Sequence, residues 1–168
     1  MSDIFTFQWI FVSWIITLII HHHTLKRAAI SDSKDGLIDL LNNLSMLDWL
    51  KDENFSLLTE EKFNTKISRI RWRIKQLNEL SSCIILSEDS IDPLLDFDVE
   101  KFLSDDISTN EKKDFKFQLQ NHCDDLIDLL EENYFNKVLK CKTFIFKSSR
   151  SSWIGLVLLI LLVVLISA

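Results

Sequence analysis

Three consecutive histidines and a His-Cys-Asp-Asp run contain the side chains of this 168-residue chain that could bind a metal ion or act as a nucleophile. On a helix, His21, His22 and His23 point about 100° apart, so one chain cannot direct all three at a single ion. His122 and Cys123 diverge for the same reason. A polar cap or a pH sensor at a membrane surface explains the first run, and a buried structural cysteine explains the second. We therefore expect no metal, no cofactor and no enzymatic activity.

The overall composition argues against several further classes of function. Glycine occurs 2 times and proline once, so glycine-rich phosphate loops and turn-rich β sandwiches or barrels are not expected. The formal net charge of −6 argues against nucleic-acid binding by the chain as a whole. The 3 cysteines form no CxxC motif and predict neither a disulfide framework nor a zinc ribbon. No carboxylate pair with the pattern of a tuned acid and base is present, so no small-molecule substrate is expected.

Two apolar runs, residues 4–20 and 153–168, contain no charged side chain. Helices of this length span roughly 24–26 Å, close to the roughly 30 Å hydrocarbon core of a bilayer. A signal peptide is the alternative for the first run, and a buried core helix is the alternative for the second. We predict an all-α integral membrane protein in which transmembrane helices at 1–23 and 151–168 bracket a cytoplasmic helical bundle at 24–150.

Basic residues flank both apolar runs on their inner sides. Lys26 and Arg27 follow the first run. The bases that precede the second run are Lys140, Lys142, Lys147 and Arg150. Because positive flanks stay in the cytoplasm, both termini should lie outside and the central domain inside. Three unpaired cysteines fit that reducing compartment.

Polar residues within the first run share one helical face. Thr6, Ser13 and Thr17 are spaced by seven and four residues, so their hydroxyls are candidates for helix packing in the membrane. In a ring of copies this face could line a small pore. A homo-oligomer and a lipid membrane are therefore among the expected partners.

A heptad pattern is the strongest periodic signal of the central region. The residues of this bundle seam are Phe63, Ile67, Ile70, Ile74 and Leu77, and the same steps continue to Ser81 and Ile84. Apolar side chains at alternating steps of four and three form either the core of a helical bundle or the contact of a dimeric coiled coil. The bundle core is the interpretation that we favour.

A basic stripe runs beside the bundle seam and consists of Lys62, Lys66, Arg69 and Arg73, with Trp72 between them. One interpretation pairs the basic stripe with the chain's own acidic linker near 88–111. Others are an acidic protein partner, an anionic lipid surface or a nucleic acid. The basic stripe is thus the candidate partner-binding surface.

The remaining signals position the helices of the central region. Residues 31–36 form the clearest interruption, and residues 52–54 indicate the next turn. Thr59 is a predicted N-cap. A short helix is predicted around residues 99–103, and residues 112–147 carry a helical apolar stripe.

The two apolar runs around a small helical region, with a composition rich in Lys, Asn, Ile, Asp and Phe, resemble the small two-transmembrane-helix effectors of bacterial phage-defence systems of the retron type. The resemblance covers the architecture and no individual motif. It implies a location in the bacterial inner membrane. It also implies a membrane-perturbing effector of abortive infection, pore-forming or depolarising, held inactive by a regulatory protein or nucleoprotein complex that docks on the cytoplasmic domain. The alternative function is a non-pore membrane adaptor that recruits a soluble complex.

Overall fold

A computed structural model describes residues 2–47, 56–104 and 106–140, together with residue 157. These ranges contain helices and no strand, so the all-α prediction is confirmed for them. The α-helices are α1 (Ser2–Ser45), α2 (Ser56–Ser81), α3 (Asp92–Leu95), α4 (Val99–Leu103) and α5 (Thr109–Tyr134). A 3₁₀ helix at Glu88–Ile91 precedes α3, and a π-helical turn at Phe135–Leu139 extends α5.

The predicted integral membrane fold is wrong. Among the described residues, no helix has both the length and the apolar character needed to cross a membrane. The description as a multi-pass transmembrane protein is corrected accordingly, and the run at 151–168 lies outside the described residues except for residue 157.

Helix α1 is unbroken across residues 31–36, where the sequence predicted an interruption. Ile30 and Leu37 flank this stretch and are both fully buried. Within it, Lys34 Nζ lies 2.9 Å from a carboxylate oxygen of Asp35 and 3.7 Å from one of Glu131. Packing on both sides therefore outweighs the weak helix propensity of serine, aspartate and glycine.

The core lies among the C-terminal half of α1, α2 and α5. Helices α1 and α2 run antiparallel, because Leu40 shares a cavity with Glu61 near one end and Ala29 shares a cavity with Leu80 near the other. The buried side chains of α1 and α5 are Ile30, Leu37, Leu41, Leu44, Leu119, Cys123, Leu126 and Leu130. Each fully buried Leu or Ile contributes about 1.5–3 kcal/mol, so this core is the main source of stability.

The acidic linker near 88–111 is folded against the core over most of its described length. Ile91, Leu94 and Val99 are buried, while most of the acidic side chains between them are exposed. Helix α4 occupies Val99–Leu103, as the sequence predicted. Asp98 caps it, accepting a hydrogen bond from the Lys101 backbone N–H at 2.8 Å.

The start of α2 differs from the sequence prediction. Helix α2 begins at Ser56, so Thr59 lies inside its first turns and is 5% exposed. Thr59 is therefore part of the packed helix and is not its N-cap. The predicted turn at 52–54 lies outside the described residues.

The chain reversal after α2 is held by side-chain hydrogen bonds. Asn78 Oδ1 accepts from the backbone N–H groups of Ile85 at 2.8 Å and Leu86 at 3.3 Å, and its Nδ2 donates to the Leu86 carbonyl at 2.7 Å. Ser81 Oγ donates to the Cys83 carbonyl at 2.8 Å. Because Ile85 and Leu86 are almost fully buried, these bonds fix where the core continues after α2.

Candidate functional site

Of the two residues that continue the heptad steps, Ser81 is buried and Ile84 is 67% exposed, because α2 ends at Ser81 and Ile84 lies beyond the helix. The structure places the bundle seam itself in the core. Its members are at most 3% exposed, and they are Phe63, Ile67, Ile70, Ile74 and Leu77. They face α1 and the segments after α2 within one chain, as in a bundle. The bundle seam therefore supports the opposite face of α2 and is not itself a binding surface.

An open groove of about 820 Å³ lies between α1 and α2. Gly36 and Leu40 of α1 line one side of the groove, and Glu61 and Trp72 line the α2 side. A Cβ built on Gly36 would meet no atom within 4 Å, so the groove is open at that position. The groove therefore offers an apolar floor between two helices that the buried seam holds in place.

The basic stripe divides into two parts in the structure. Arg69 and Arg73 are exposed and line the groove, whereas Lys62 and Lys66 are half-buried and are not among its lining residues. Trp72, between the arginines in the sequence, is 58% exposed and also lines the groove. The arginine half of the basic stripe is therefore the part that a partner in the groove would contact.

Neither groove arginine forms an ion pair within the described part of the chain. Arg73 Nη1 instead donates a weak hydrogen bond to Gln76 Oε1 at 3.4 Å. Pairing of Arg69 and Arg73 with the acidic linker, one interpretation of the sequence, is thus not what the described residues show. Both guanidinium groups remain available for an external acid.

A second cavity of about 560 Å³ continues the groove along the same two helices. Arg73 lines both cavities, so the two are adjacent. Ser33 lines the second cavity, is 8% exposed, and its buried Oγ has no hydrogen-bond partner. From Glu61 to Leu80 the two cavities follow α2 for about 28 Å, the rise of a helix of about 19 residues.

Catalytic and metal chemistry have little support among the described side chains. No group of three or more His, Cys, Asp or Glu residues within the described ranges could hold a metal ion. Cys123 is fully buried, and this burial, with a smaller effect of Asp124, raises the pKa of its thiol to about 12. A thiol with that pKa is not a nucleophile at neutral pH, so the His-Cys pair has no reactive thiol.

The histidine run lies on α1 beyond the main core. Burial is the main factor that holds the pKa of His23 below its ordinary value, and the charges of Arg27, His22 and Lys26 add to the effect. His21 and His22 are exposed. The neutral form of His23 is thus favoured in the folded protein.

The hydroxyl face predicted for helix packing is partly engaged within α1 itself. Ser13 and Thr17 are both exposed, and Thr17 Oγ1 donates to the Ser13 carbonyl at 2.9 Å. The side chain of Thr6 lies outside the described residues. The one Thr17 hydroxyl proton is therefore used inside the helix and is not presented to a neighbour.

Searches for similar proteins, made with family models, curated sequences and solved structures, found no match. Fold and surface chemistry alone therefore define the class of this protein. Over its described residues the protein is all-helical, with a buried bundle seam and an arginine- and tryptophan-lined groove. The groove is a feature that the linear sequence predicted only in part, since the contribution of α1 requires the antiparallel packing of α1 on α2.

Proposed function

We propose that this chain is a helical docking protein whose groove between α1 and α2 binds an acidic, amphipathic helix of a partner protein. The observation that carries the proposal is the exposed Arg69, Trp72 and Arg73 side chains along an open groove. Arginine and tryptophan are the residue types that most often dominate protein interfaces. Leu40 and the ring of Trp72 offer apolar contacts, and the two guanidinium groups can bind carboxylates in a bidentate manner.

The shape and charge of the groove favour a protein helix over a nucleic acid. The formal charge of −6 on the whole chain opposes a long phosphate backbone, whereas a helix can place its few carboxylates beside Arg69 and Arg73 and away from Glu61 at one end of the groove. The length of the groove matches a helix of about 19 residues. A regulatory protein, one of the partners expected from the sequence, fits this groove.

The proposed docking role does not depend on a membrane span. It retains the partner-recruiting part of the predicted adaptor function and of the predicted effector function. The membrane-perturbing activity, the inner-membrane location and the homo-oligomer stay predictions. Docking requires no catalytic group, in keeping with the expectation that the chain is not an enzyme.

A designed peptide tests the docking role directly. The probe is a fluorescent helical peptide of about 20 residues with a leucine stripe flanked by glutamates, and binding to the full chain is followed by anisotropy. Reversing both charges in Arg69→Glu/Arg73→Glu should weaken binding by about tenfold, since two exposed ion pairs of about 0.5–1 kcal/mol each are lost. Trp72→Ala should weaken binding as well.

Arg71 supplies the matched control, because it is exposed on the same helix and is not a lining residue of the groove. Arg71→Glu should leave the affinity within about twofold, less than one such ion pair. Replacing the glutamates of the peptide by glutamine should weaken binding to the parent protein. Equal binding by the double charge reversal and the Arg71 variant, or by both peptides, would contradict the proposal.

A further inference from the structure

A separate cavity of about 240 Å³ lies between α5 and the residues around the end of α3. On the α5 side it is lined by Phe115, Gln118 and His122, which share one helical face because they are three and four residues apart. On the other side it is lined by Asp96 and Phe97, directly after α3. Pockets for drug-sized ligands have about 300–1,000 Å³, so this cavity suits a smaller group such as a single side chain.

The aromatic walls of this cavity are held in place by the core. The Phe97 ring lies 5.5 Å from that of Phe63 and 5.7 Å from that of Phe102, between ring centroids. Phe63 is 3% exposed, so the ring cluster is anchored on the buried seam. The rings of Phe97 and Phe115 are 6.2 Å apart, and their planes are 84° apart. Two differently oriented aromatic surfaces therefore exist before any ligand binds.

The charge around the cavity is negative. Residues 88–111 contain nine acidic side chains and a single basic one, Lys101. Both ion pairs of the described ranges are made by Lys34, so neither of them engages the Asp96 carboxylate at the cavity. Lys101 Nζ lies 5.3 Å from the centroid of the Phe115 ring, and this ring thus already attracts a cation of the same chain. These features favour a cationic ligand and disfavour an anionic one.

We propose that this cavity binds a guanidinium group, either as the arginine side chain of a peptide or as a free alkylguanidinium compound. A guanidinium is planar and stacks on aromatic rings, and its N–H groups donate in pairs to a carboxylate. Phe97 and Phe115 supply the rings, and Asp96 supplies the carboxylate. The side-chain oxygen of Gln118 is a further acceptor. A primary ammonium has no planar face, so it matches these walls less well.

This inference does not rest on the proposed docking role. The groove between α1 and α2 presents arginines to an acidic partner, whereas this cavity presents a carboxylate to a basic group. None of the cavity residues lines the groove. Substitutions at one site therefore leave the side chains of the other site unchanged.

A pair of small probes tests the inference on the full chain. N-acetylarginine amide is titrated into protein with isotope-labelled phenylalanine, and the NMR shifts of the Phe97 and Phe115 rings are followed. N-acetylcitrulline amide is the matched probe, because it has nearly the same shape and no charge. The arginine compound should shift both rings in a saturable manner, and the citrulline compound should bind about tenfold more weakly.

Substitution of the carboxylate locates the binding site. Asp96→Asn should weaken binding of the arginine compound about fivefold, because the amide is neutral and accepts at only one atom. Asp92→Asn is the control, because Asp92 is an exposed aspartate of α3 that does not line the cavity, and its effect should stay within about twofold. Phe115→Leu should also weaken binding, and circular dichroism checks that each variant keeps the parental helicity.

A third probe, methylguanidinium, distinguishes the two sources of the group. Binding as tight as that of the arginine compound supports a site for free guanidinium compounds, and weaker binding supports a site for a peptide side chain. Equal binding of the arginine and citrulline compounds would overturn the proposal. Equal effects of Asp96→Asn and Asp92→Asn, or no shift of either ring with any of the three probes, would overturn it as well.

Discussion

Replacing Asn78 with alanine is expected to destabilise the protein strongly, although the residue is only half-buried and has no place in the apolar pattern. Its side chain makes three hydrogen bonds to the backbone of Ile85 and Leu86. Alanine removes one acceptor and one donor and leaves two backbone N–H groups and one carbonyl without their partners. These groups belong to residues whose side chains are at most 1% exposed.

The magnitude follows from the cost of unpaired backbone groups. Each buried polar group left unpaired costs about 1–3 kcal/mol, and water can replace part of this at a half-buried site. The Leu86 N–H bond is long at 3.3 Å and contributes less than the other two. Alanine recovers a few tenths of a kcal/mol through its higher helix propensity. The expected net loss of unfolding free energy is about 2–4 kcal/mol.

Urea unfolding of the full chain, followed by circular dichroism, measures this loss. Asn64→Ala is the matched control, because Asn64 is an exposed asparagine of the same helix and its change should stay within about 0.5 kcal/mol. Asn78→Asp keeps both accepted bonds but loses the donated bond, so it should lie between the parent and Asn78→Ala. If Asn78→Ala is within about 0.5 kcal/mol of Asn64→Ala, water supports the reversal and the reasoning is refuted.

Two further predictions concern the helices that frame the groove and the capping of α5. Gly36→Ala should raise the free energy of unfolding, measured in urea, by about 1 kcal/mol, because Gly36 is inside α1 and its new Cβ would meet nothing within 4 Å. Ala28→Gly, at an exposed site of the same helix, is the control and should lower the free energy of unfolding. A destabilised Gly36→Ala variant would show that the groove is narrower at this position than described. Hydrogen bonds from the backbone N–H and then the hydroxyl of Ser108 hold the pKa of Glu111 below its ordinary value, so its stabilisation is present above about pH 4.3 and is lost as the pH falls through the lowered pKa. In an NMR titration, Ser108→Ala should raise the pKa of Glu111 partway to its ordinary value, and the stability lost at low pH should become smaller. Thr109→Ala is the control. An unchanged pKa in Ser108→Ala would contradict the role of the hydroxyl.

The bundle seam was the most predictable part of the fold. Apolar residues at steps of four and three require one buried helical face whatever the partner is, and α2 buries that face from Phe63 to Leu77. The short helix α4 was predictable for a similar reason, because Asp98 is a strong N-cap before a short apolar pair. In both cases the pattern of residues within the helix itself was enough to predict the helix.

Other features depended on contacts that the sequence does not show. The continuity of α1 through Gly36 is decided by burial of Leu37 and by the ion pairs of Lys34, which outweigh poor local propensity. The α2 side of the groove was predictable, since Arg69 and Arg73 belong to the basic stripe, whereas the α1 side was not. Only Arg69 and Arg73 line the groove, and Lys62 and Lys66 do not, because of how α2 is rotated against α1. The hydrogen bonds of Asn78 depend on the position of Ile85 and Leu86, seven and eight residues further along the chain.

The length of α1 limits how much of this helix can pack against the core. Its 44 residues rise about 66 Å, whereas a compact domain of about 100 residues has a radius of gyration near 13 Å. A helix of that length cannot lie against one such core along its whole length. The half that carries Gly36 and Leu40 packs on α2 and forms the groove, so the other half requires a separate partner for its apolar face. The groove therefore depends only on the C-terminal half of α1, where Gly36 and Leu40 line it.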